Sequence, residues 1–167
     1  MFNPTYQNTK KIESPLLQTY RSKIRLKDYQ GKKNIFLLFL PGNLSGRSQR
    51  LQNSILELNE NFNKFVENET EILIVVQSFS PEVRWNLNLA KVHGGLRNLK
   101  FPIIFDPWGL LFNSYNSQND SKQKGKIETY TSYFINKEGI IRYIGYFDQQ
   151  IKFDLPKTLE IIESLRS

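Results

Sequence analysis

The sequence contains no cysteine, and His93 is its single histidine. A chain without cysteine has no disulfide, no thiolate nucleophile and no thiolate metal site. One histidine is too few for a zinc cluster, and nothing in the polar stretch KVHGGL marks a third group that would hold it for serine catalysis. We therefore predict a protein with no bound metal, no cofactor and no hydrolytic triad.

Long apolar runs are also missing. No stretch of about 18 apolar residues is present, so the sequence predicts no membrane span. The first residues, MFNPTYQNTKKIESPLL, lack the apolar core of a secretory signal. We expect a protein that is not secreted and that resides in the cytoplasm or in the stroma or matrix of an organelle.

Acidic residues are scarce near the N-terminus. The chain has 23 Lys and Arg against 16 Asp and Glu, and residues 1–33 hold 8 of the former and 2 of the latter. We predict a basic arm over 1–20 that precedes a domain over 21–167. A basic surface favours an acidic partner, either a protein or a nucleic acid, and a solubilising tail is the alternative. The candidate contacts are Lys10, Lys11, Arg21, Lys23, Arg25 and Lys27.

The apolar pattern predicts strands that alternate with helices. Continuous apolar runs indicate strands covered on both faces, at 34–40, 71–77 and 101–105. Helical spacing predicts helices over 48–67, 81–90 and 107–115, the last with Leu110, Leu111 and Tyr115 on its inner side. An extended piece that ends in a turn at Gly31 precedes them. A hairpin of 130–136 with 140–147 follows, and Asp154 is placed to cap a last helix. This order predicts an α/β fold of thioredoxin-like type, a mixed sheet with helices on both faces.

The stretch PGNLSGRS, 41–48, joins the first buried strand to the first helix. A turn that ends at a helix N-terminus is a common place for chemistry, because the free backbone N–H groups favour anions. Arg47 and Arg50 flank that N-terminus and are candidates for an anion site. An ordinary turn with exposed charges is the alternative.

Three segments carry a family resemblance: LKDYQGKK, VRWNLNLAKVHGGLRNLKFPIIFDP and YFINKEGIIRYIGYF. In order and spacing they resemble peroxiredoxins of the typical two-cysteine class, from about residue 23 to residue 165. The resemblance implies the thioredoxin-like fold and, for an intact member, thiol peroxidase activity.

The resemblance also shows which site residues have changed. The family's loop reads Pro-x-x-x-Thr-x-x-Cys; here Pro41 matches, Ser45 replaces the Thr and Ser48 stands in the place of the peroxidatic Cys. The family's Arg lies six residues before a strand-terminal Asp, whose place is taken by Asn136, so Tyr130 occupies the Arg position. Peroxide reduction requires a thiolate that becomes a sulfenic acid, which a serine cannot form.

We therefore expect a catalytically inactive, peroxiredoxin-like subunit of a larger assembly. One alternative is a thiol peroxidase whose Cys has been replaced by Ser48, through natural loss or through engineering. A second is a nucleic-acid-associated protein that uses the basic arm. It has less support, because the arm lacks the interleaved aromatic residues and dense Arg of such binders.

The segment 140–147 resembles the edge strand through which the family forms its dimer. Its only charge is Arg142, it has no Pro, and it carries Tyr143, Tyr146 and Phe147. An edge strand with little charge and no proline exposes backbone N–H and C=O groups, and this favours pairing with another chain. We predict that a second copy or a protein partner covers this edge, with the aromatic residues as anchors; cover by the chain's own arm is the alternative.

Overall fold

The computed structural model describes residues 2–8, 17–19, 22–40, 49–77, 98–116, 129–148 and 154–166. The strands in these ranges are β1 (Phe2–Asn8), β2 (Leu17–Gln18), β3 (Lys23–Ile24), β4 (Asn34–Leu40), β5 (Thr70–Val76), β6 (Ile103–Phe105), β7 (Thr129–Ile135) and β8 (Ile141–Asp148). The helices are a short 3-10 helix (Leu26–Tyr29), α1 (Gln49–Glu60), α2 (Phe62–Glu67), α3 (Leu110–Asn116) and α4 (Leu155–Ser164).

Six strands form one mixed sheet in the order β1-β8-β7-β4-β5-β6. Strand β4 is parallel to β5, which is parallel to β6, whereas β7 is antiparallel to both β4 and β8. All seven residues of β4 are buried, as expected for a central strand covered on both faces. The predicted α/β, thioredoxin-like architecture is confirmed.

Strand alternation divides the core between the two faces of the sheet. Phe36 lies on the face covered by α1, α2 and α4, where its ring centroid is 5.0 Å from that of Phe134 and 5.8 Å from that of Phe65. Phe39 lies on the opposite face, beneath α3, with its ring centroid 5.6 Å from that of Phe112. The alternating strand residues therefore supply two separate apolar clusters.

The helix predicted over 48–67 is two helices, α1 and α2, with a break at Asn61. The Asn61 side-chain amide donates to the carbonyl of Glu57 at 2.9 Å. Asn side chains compete in this way for backbone groups, and they are poor residues for a helix interior. The apolar residues that recur at helical spacing in this range are Leu51, Ile55, Leu58, Phe62 and Phe65. The stripe that they predict is confirmed at Ile55, Leu58 and Phe65, which are fully buried, and Phe62 is partly buried.

The predicted inner side of the third helix is wrong at its first residue. Leu110 is 70% exposed, whereas Leu111, Phe112 and Tyr115 are buried. The helix begins at Leu110 itself, after a turn, and the buried positions follow i, i+1 and i+4 from Leu111. Leu110 therefore projects away from the sheet.

Other local predictions are confirmed. The Asp154 carboxylate accepts from the backbone N–H of Lys157 at 3.0 Å and caps α4. Strands β7 and β8 form the hairpin, and Gly139 in its turn has φ of 84°. The turn at Gly31 is present, although the 3-10 helix interrupts the extended piece before it. The helix predicted over 81–90 lies outside the described residues.

The N-terminal residues belong to the sheet. Strand β1 pairs antiparallel with β8, with Phe2 opposite Gly145 and Asn8 opposite Ile141. The prediction that a second copy or a partner covers this edge is therefore wrong from Ile141 to Gly145, because the chain's own first strand lies there. The boundary predicted after residue 20 stays a prediction.

Candidate functional site

The segment expected to hold the site, 41–48, lies outside the described residues, and so do Pro41, Ser45, Arg47 and Ser48 within it. The segment joins Leu40, the last residue of β4, to Gln49, the first residue of α1. Arg50 is placed in α1 and Tyr130 in β7 by their backbones.

Sheet register places position 130 at the same end of the sheet as this segment. Phe39 of β4 lies opposite Thr131 of β7, so the next antiparallel step brings position 130 level with Leu40. Tyr130 is also opposite Phe147 of β8. The position that the resemblance assigns to an Arg is therefore adjacent in space to the start of the segment that contains Ser48.

The parallel strands end at the same edge. Leu40 is in register with Val76 of β5, and Val76 is in register with Phe105 of β6. In open α/β sheets, ligands bind outside the carboxyl ends of the strands. The described side chains next to this edge are mostly apolar, and Ser132 beneath it is fully buried, with its hydroxyl directed at the Gly145 carbonyl at 3.5 Å.

Asp106 is the one buried carboxylate at this edge among the described residues, and its oxygens hold a helix. One oxygen accepts from the backbone N–H of Leu110 at 2.9 Å, and the other accepts from that of Phe112 at 3.0 Å. Such contacts satisfy the free donors of a helix N-terminus. The Asp of the IIFDP motif therefore positions α3.

Gly109 completes this turn. Its φ is +65°, in the region that favours glycine, and an added Cβ would lie 2.5 Å from the Gln77 side-chain nitrogen. Asp106 and Gly109 together set where α3 begins. They account for the outward position of Leu110.

Three described groups have shifted pKa values, and each shift has a structural cause. Burial, followed by the charges of Glu71 and Asp28, raises the pKa of Tyr29 to about 12. Burial also raises the pKa of Tyr115. The Lys137 ammonium, 2.6 Å from the carboxylate, lowers the pKa of Glu69 through a hydrogen bond and its charge. Both phenols are thus protonated near neutral pH, and neither can supply an anionic nucleophile.

The candidate interaction residues are partly described. Lys23, Arg25 and Lys27 are exposed around β3 and the 3-10 helix, and Lys10, Lys11 and Arg21 lie outside the described residues. On β8, Arg142 is exposed, Tyr143 and Tyr146 are half-buried, and Phe147 is placed by its backbone. The structure brings three of the six basic candidates together on one short segment.

Sequence reasoning missed an exposed apolar pair. Trp108 is 74% exposed and Leu110 is 70% exposed, on either side of Gly109. The signal that could have found the pair is the DPWG turn, because a helix that starts after this turn leaves both side chains outside the buried i, i+1, i+4 set.

The described residues contain no group of three or more His, Asp or Glu that could hold a metal ion. Within the same ranges, no helix has the length and apolar character needed to cross a membrane.

The AhpC/TSA family profile matches residues 7–144, and the chain therefore belongs to the AhpC/TSA family. It is a cysteine-free member, as the resemblance of the three sequence segments indicated.

Curated relatives are peroxiredoxins. The chain is 28% identical over 145 residues to a candidate peroxiredoxin, ycf42, of Trieres chinensis, which covers 86% of this chain and 67% of the relative. It is 28% identical to a chloroplastic 2-cysteine peroxiredoxin of Chattonella marina var. antiqua over 72% of this chain and 58% of the relative. It is 26% identical to the chloroplastic 2-Cys peroxiredoxin BAS1 of Hordeum vulgare over 86% and 65%. The chain thus spans about two thirds of the length of these relatives, or less.

Solved structures share the fold. The mitochondrial 2-Cys peroxiredoxin of Plasmodium falciparum aligns over 94% of this chain and 92% of its own, with a TM-score of 0.72 and 24% identity. The yeast mitochondrial 1-Cys peroxiredoxin aligns over 97% of this chain and 77% of its own, with a TM-score of 0.78 and 15% identity.

Proposed function

We propose that this chain is a catalytically inactive, peroxiredoxin-like protein, a pseudoenzyme that serves as a structural or regulatory subunit of a larger assembly. The observation that carries the proposal is the complete absence of cysteine from a chain of the AhpC/TSA family. Peroxide reduction in this family proceeds through a cysteine sulfenic acid, and no other side chain of this sequence can form one.

The core argues for retention of the fold. Phe36, Phe39 and Leu37 of the central strand are all fully buried. A chain under no constraint would accumulate core substitutions that cost several kcal/mol each. A fold that is retained while its site residues have changed supports a role for the surface of the protein.

The surface segment that best suits a partner is the basic segment 22–33. It carries Lys23, Arg25, Lys27, Lys32 and Lys33 against Asp28, and Lys33 is paired with Glu71 at 2.6 Å. An exposed cluster of one sign steers association with the opposite sign. We propose an acidic protein surface as its partner.

The relatives suggest a compartment. Two of them are named as chloroplastic proteins. We propose that this chain acts in the stroma or matrix of an organelle.

Two alternative functions can be tested with the same protein. A thiol peroxidase that has lost only its Cys would regain full activity with Ser48→Cys alone, without the change Tyr130→Arg. A nucleic-acid-associated protein would lose its retained material on nuclease treatment, because its contacts would be to phosphates.

The test of the proposed partner uses charge removal, since deleting residues 1–20 would also remove β1. Tagged protein with Lys23→Gln and Arg25→Gln should retain less of its stoichiometric partner in a native pull-down analysed by mass spectrometry. Raising the salt should release the partner from the unmodified protein, because exposed charge contacts are screened beyond about 8 Å at physiological ionic strength.

The matched control is Lys64→Gln with Lys100→Gln, which removes the same charge from two exposed lysines elsewhere. Retention should stay unchanged in that variant. Equal retention by both double variants would contradict the role of the basic segment.

A further inference from the structure

Strand β3 is the outer strand of a small sheet on the β6 side of the molecule. The main sheet ends at β6, and Thr19, the residue after β2, forms an antiparallel bridge with Ile104 of β6. Strand β2 pairs with β3 in the second, two-stranded sheet, with Gln18 opposite Lys23. Strand β2 therefore lies between β6 and β3, and no strand within the described residues pairs with the other side of β3.

The hairpin register directs the backbone groups of Lys23 outward. The backbone N–H of Thr19 donates to the Ser22 carbonyl at 2.8 Å, so these two residues form a hydrogen-bonded pair. In an antiparallel ladder such pairs alternate with pairs that exchange no hydrogen bond. The next pair, Gln18 with Lys23, is of the second kind. The N–H and C=O groups of Lys23 therefore point away from β2, towards the outer edge.

The outer edge ends at Arg25, where the backbone is still extended, with φ of −127° and ψ of 138°. The Arg25 N–H donates to the Asp28 carboxylate at 3.1 Å, and the Arg25 carbonyl accepts from the Asp28 N–H at 3.0 Å. The edge of β3 therefore offers one set of backbone groups, those of Lys23. One residue of an added antiparallel strand can exchange both of its backbone hydrogen bonds with such a set.

The side chains of this strand separate an apolar face from a basic face. Ile24 is half-buried and packs against the apolar cluster beneath α3. Lys23 and Arg25 are two residues apart in extended backbone, so their side chains share the opposite face, and both residues are exposed. In the described part of the chain, neither side chain forms an ion pair with a carboxylate. The edge thus combines outward backbone groups with two cations at strand spacing.

We propose that β3 binds an extended acidic segment of a partner protein, which adds to the edge as an antiparallel strand. One acidic residue of the segment lies opposite Lys23 and exchanges two backbone hydrogen bonds with it. A second acidic residue, two positions earlier in the segment, lies opposite Arg25. Opposite charges that face each other stabilise an antiparallel pair, and strand addition to a sheet edge is a recurring mode of peptide recognition.

This proposal rests on the proposed function, because it takes an acidic protein as the partner of the basic segment. It adds the conformation of the bound segment and the spacing of its acidic residues. A polypeptide fits this edge better than a nucleic acid, since phosphates have no donor for the Lys23 carbonyl. The one aromatic residue of the basic segment, Tyr29, is half-buried, whereas base stacking needs an accessible ring.

The first test determines whether this edge is accessible in the chain alone. The Lys23 amide should exchange its hydrogen rapidly in NMR measurements. The Ile24 amide should exchange more slowly, because the alternation makes Ile24 and Leu17 a hydrogen-bonded pair. Slow exchange at Lys23 in the protein alone would contradict the proposal, because another segment would already cover the edge.

The second test uses a peptide of alternating Glu and Thr with blocked ends. In the proposed register the backbone groups of its Glu residues face β3, and those of its Thr residues face away. Methylation of the Glu backbone nitrogens should weaken binding about tenfold, whereas methylation of the Thr nitrogens should change it by less than about twofold. The dissociation constants are measured by NMR titration of the amides of residues 22–25.

Lys23→Pro tests the same hydrogen bond from the side of the protein. It removes the outward N–H and leaves the N–H groups that pair with β2, and proline is tolerated at such a position of an edge strand. Lys23→Gln is the matched control, because it removes the same charge and keeps the N–H. The proline variant should bind the unmethylated peptide about tenfold more weakly than the glutamine variant. Equal binding by two folded variants would contradict strand addition; if the proline variant does not fold, the two methylated peptides decide.

Failure of this proposal is distinguishable from failure of the proposed function. Equal affinities of the two methylated peptides, or no binding of the unmethylated peptide, would overturn strand addition. The proposed function would still hold if Lys23→Gln with Arg25→Gln lost its partner in the pull-down. Tighter binding of a single-stranded oligothymidylate than of the peptide at the same amides would overturn the proposal in favour of a nucleic-acid partner.

Discussion

The double variant Ser48→Cys/Tyr130→Arg should reduce hydrogen peroxide, whereas Ser48→Cys alone should be slower by roughly 10²-fold. The single variant restores the sulfur nucleophile but not the cation that the family resemblance places beside it. Loss of one positioned donor at a reacting centre typically costs about 10²–10³ in rate. A nearby cation also lowers the pKa of a thiol and so raises its thiolate fraction.

The geometry supports this pair of changes. Position 130 is level with Leu40 on the neighbouring strand, at the start of the segment that contains Ser48. The measurement is the initial rate of peroxide loss with excess dithiothreitol, after subtraction of a protein-free blank. Tyr130→Arg with Ser114→Cys, which puts the cysteine at an exposed position of α3, controls for the reactivity of an ordinary thiol.

Equal rates for Ser48→Cys and for the double variant would contradict the assignment of position 130. A double variant that is no faster than the Ser114 control would contradict the assignment of Ser48.

Leu111→Ala should lower the free energy of unfolding by about 2–5 kcal/mol, whereas Leu110→Ala should change it by less than about 0.5 kcal/mol. The two residues are adjacent in α3 and chemically identical, but Leu111 is 2% exposed and Leu110 is 70% exposed. Removal of the Leu111 side chain leaves a cavity against the sheet. Removal of the Leu110 side chain leaves none.

The comparison uses urea unfolding, with the midpoint and the slope fitted separately. An unchanged slope shows that the midpoint shift reports stability. Similar losses in the two variants, or a larger loss for Leu110→Ala, would contradict the outward position of Leu110 and with it the capping role of Asp106.

The apolar pattern predicts best those elements whose residues are buried in one continuous run. The pattern predicts the bounds of strand β4, because the six consecutive apolar residues after Asn34 are of strand length and end at Leu40 before Pro41. The hairpin and the cap of α4 were also predictable, since Gly139 and Asp154 are local signals that need no tertiary contact.

Three features could not be read from local pattern. The break at Asn61 depends on a side-chain hydrogen bond to Glu57 within an otherwise helical pattern. The exposure of Leu110 depends on where Asp106 makes the helix begin. The pairing of β1 with β8 joins residues at opposite ends of the chain, and FNPTYQN has no alternation that would mark it as a strand.

The positions of the site residues follow from the family pattern, whereas their closeness in space follows from the sheet. The counts back from Asn136 and forward from Pro41 needed only the family pattern. The closeness of position 130 to the end of β4 needed the antiparallel register of β4 with β7. No sequence signal could provide that register alone.

The central claim, that this cysteine-free family member has no peroxidase activity, is tested most directly with the unmodified full chain. Its consumption of hydrogen peroxide is measured with dithiothreitol and, separately, with thioredoxin and its reductase, using the Ser48→Cys/Tyr130→Arg variant as the positive control. We predict a rate equal to the blank at every protein concentration. A rate that rises in proportion to the concentration of the unmodified chain would contradict the claim.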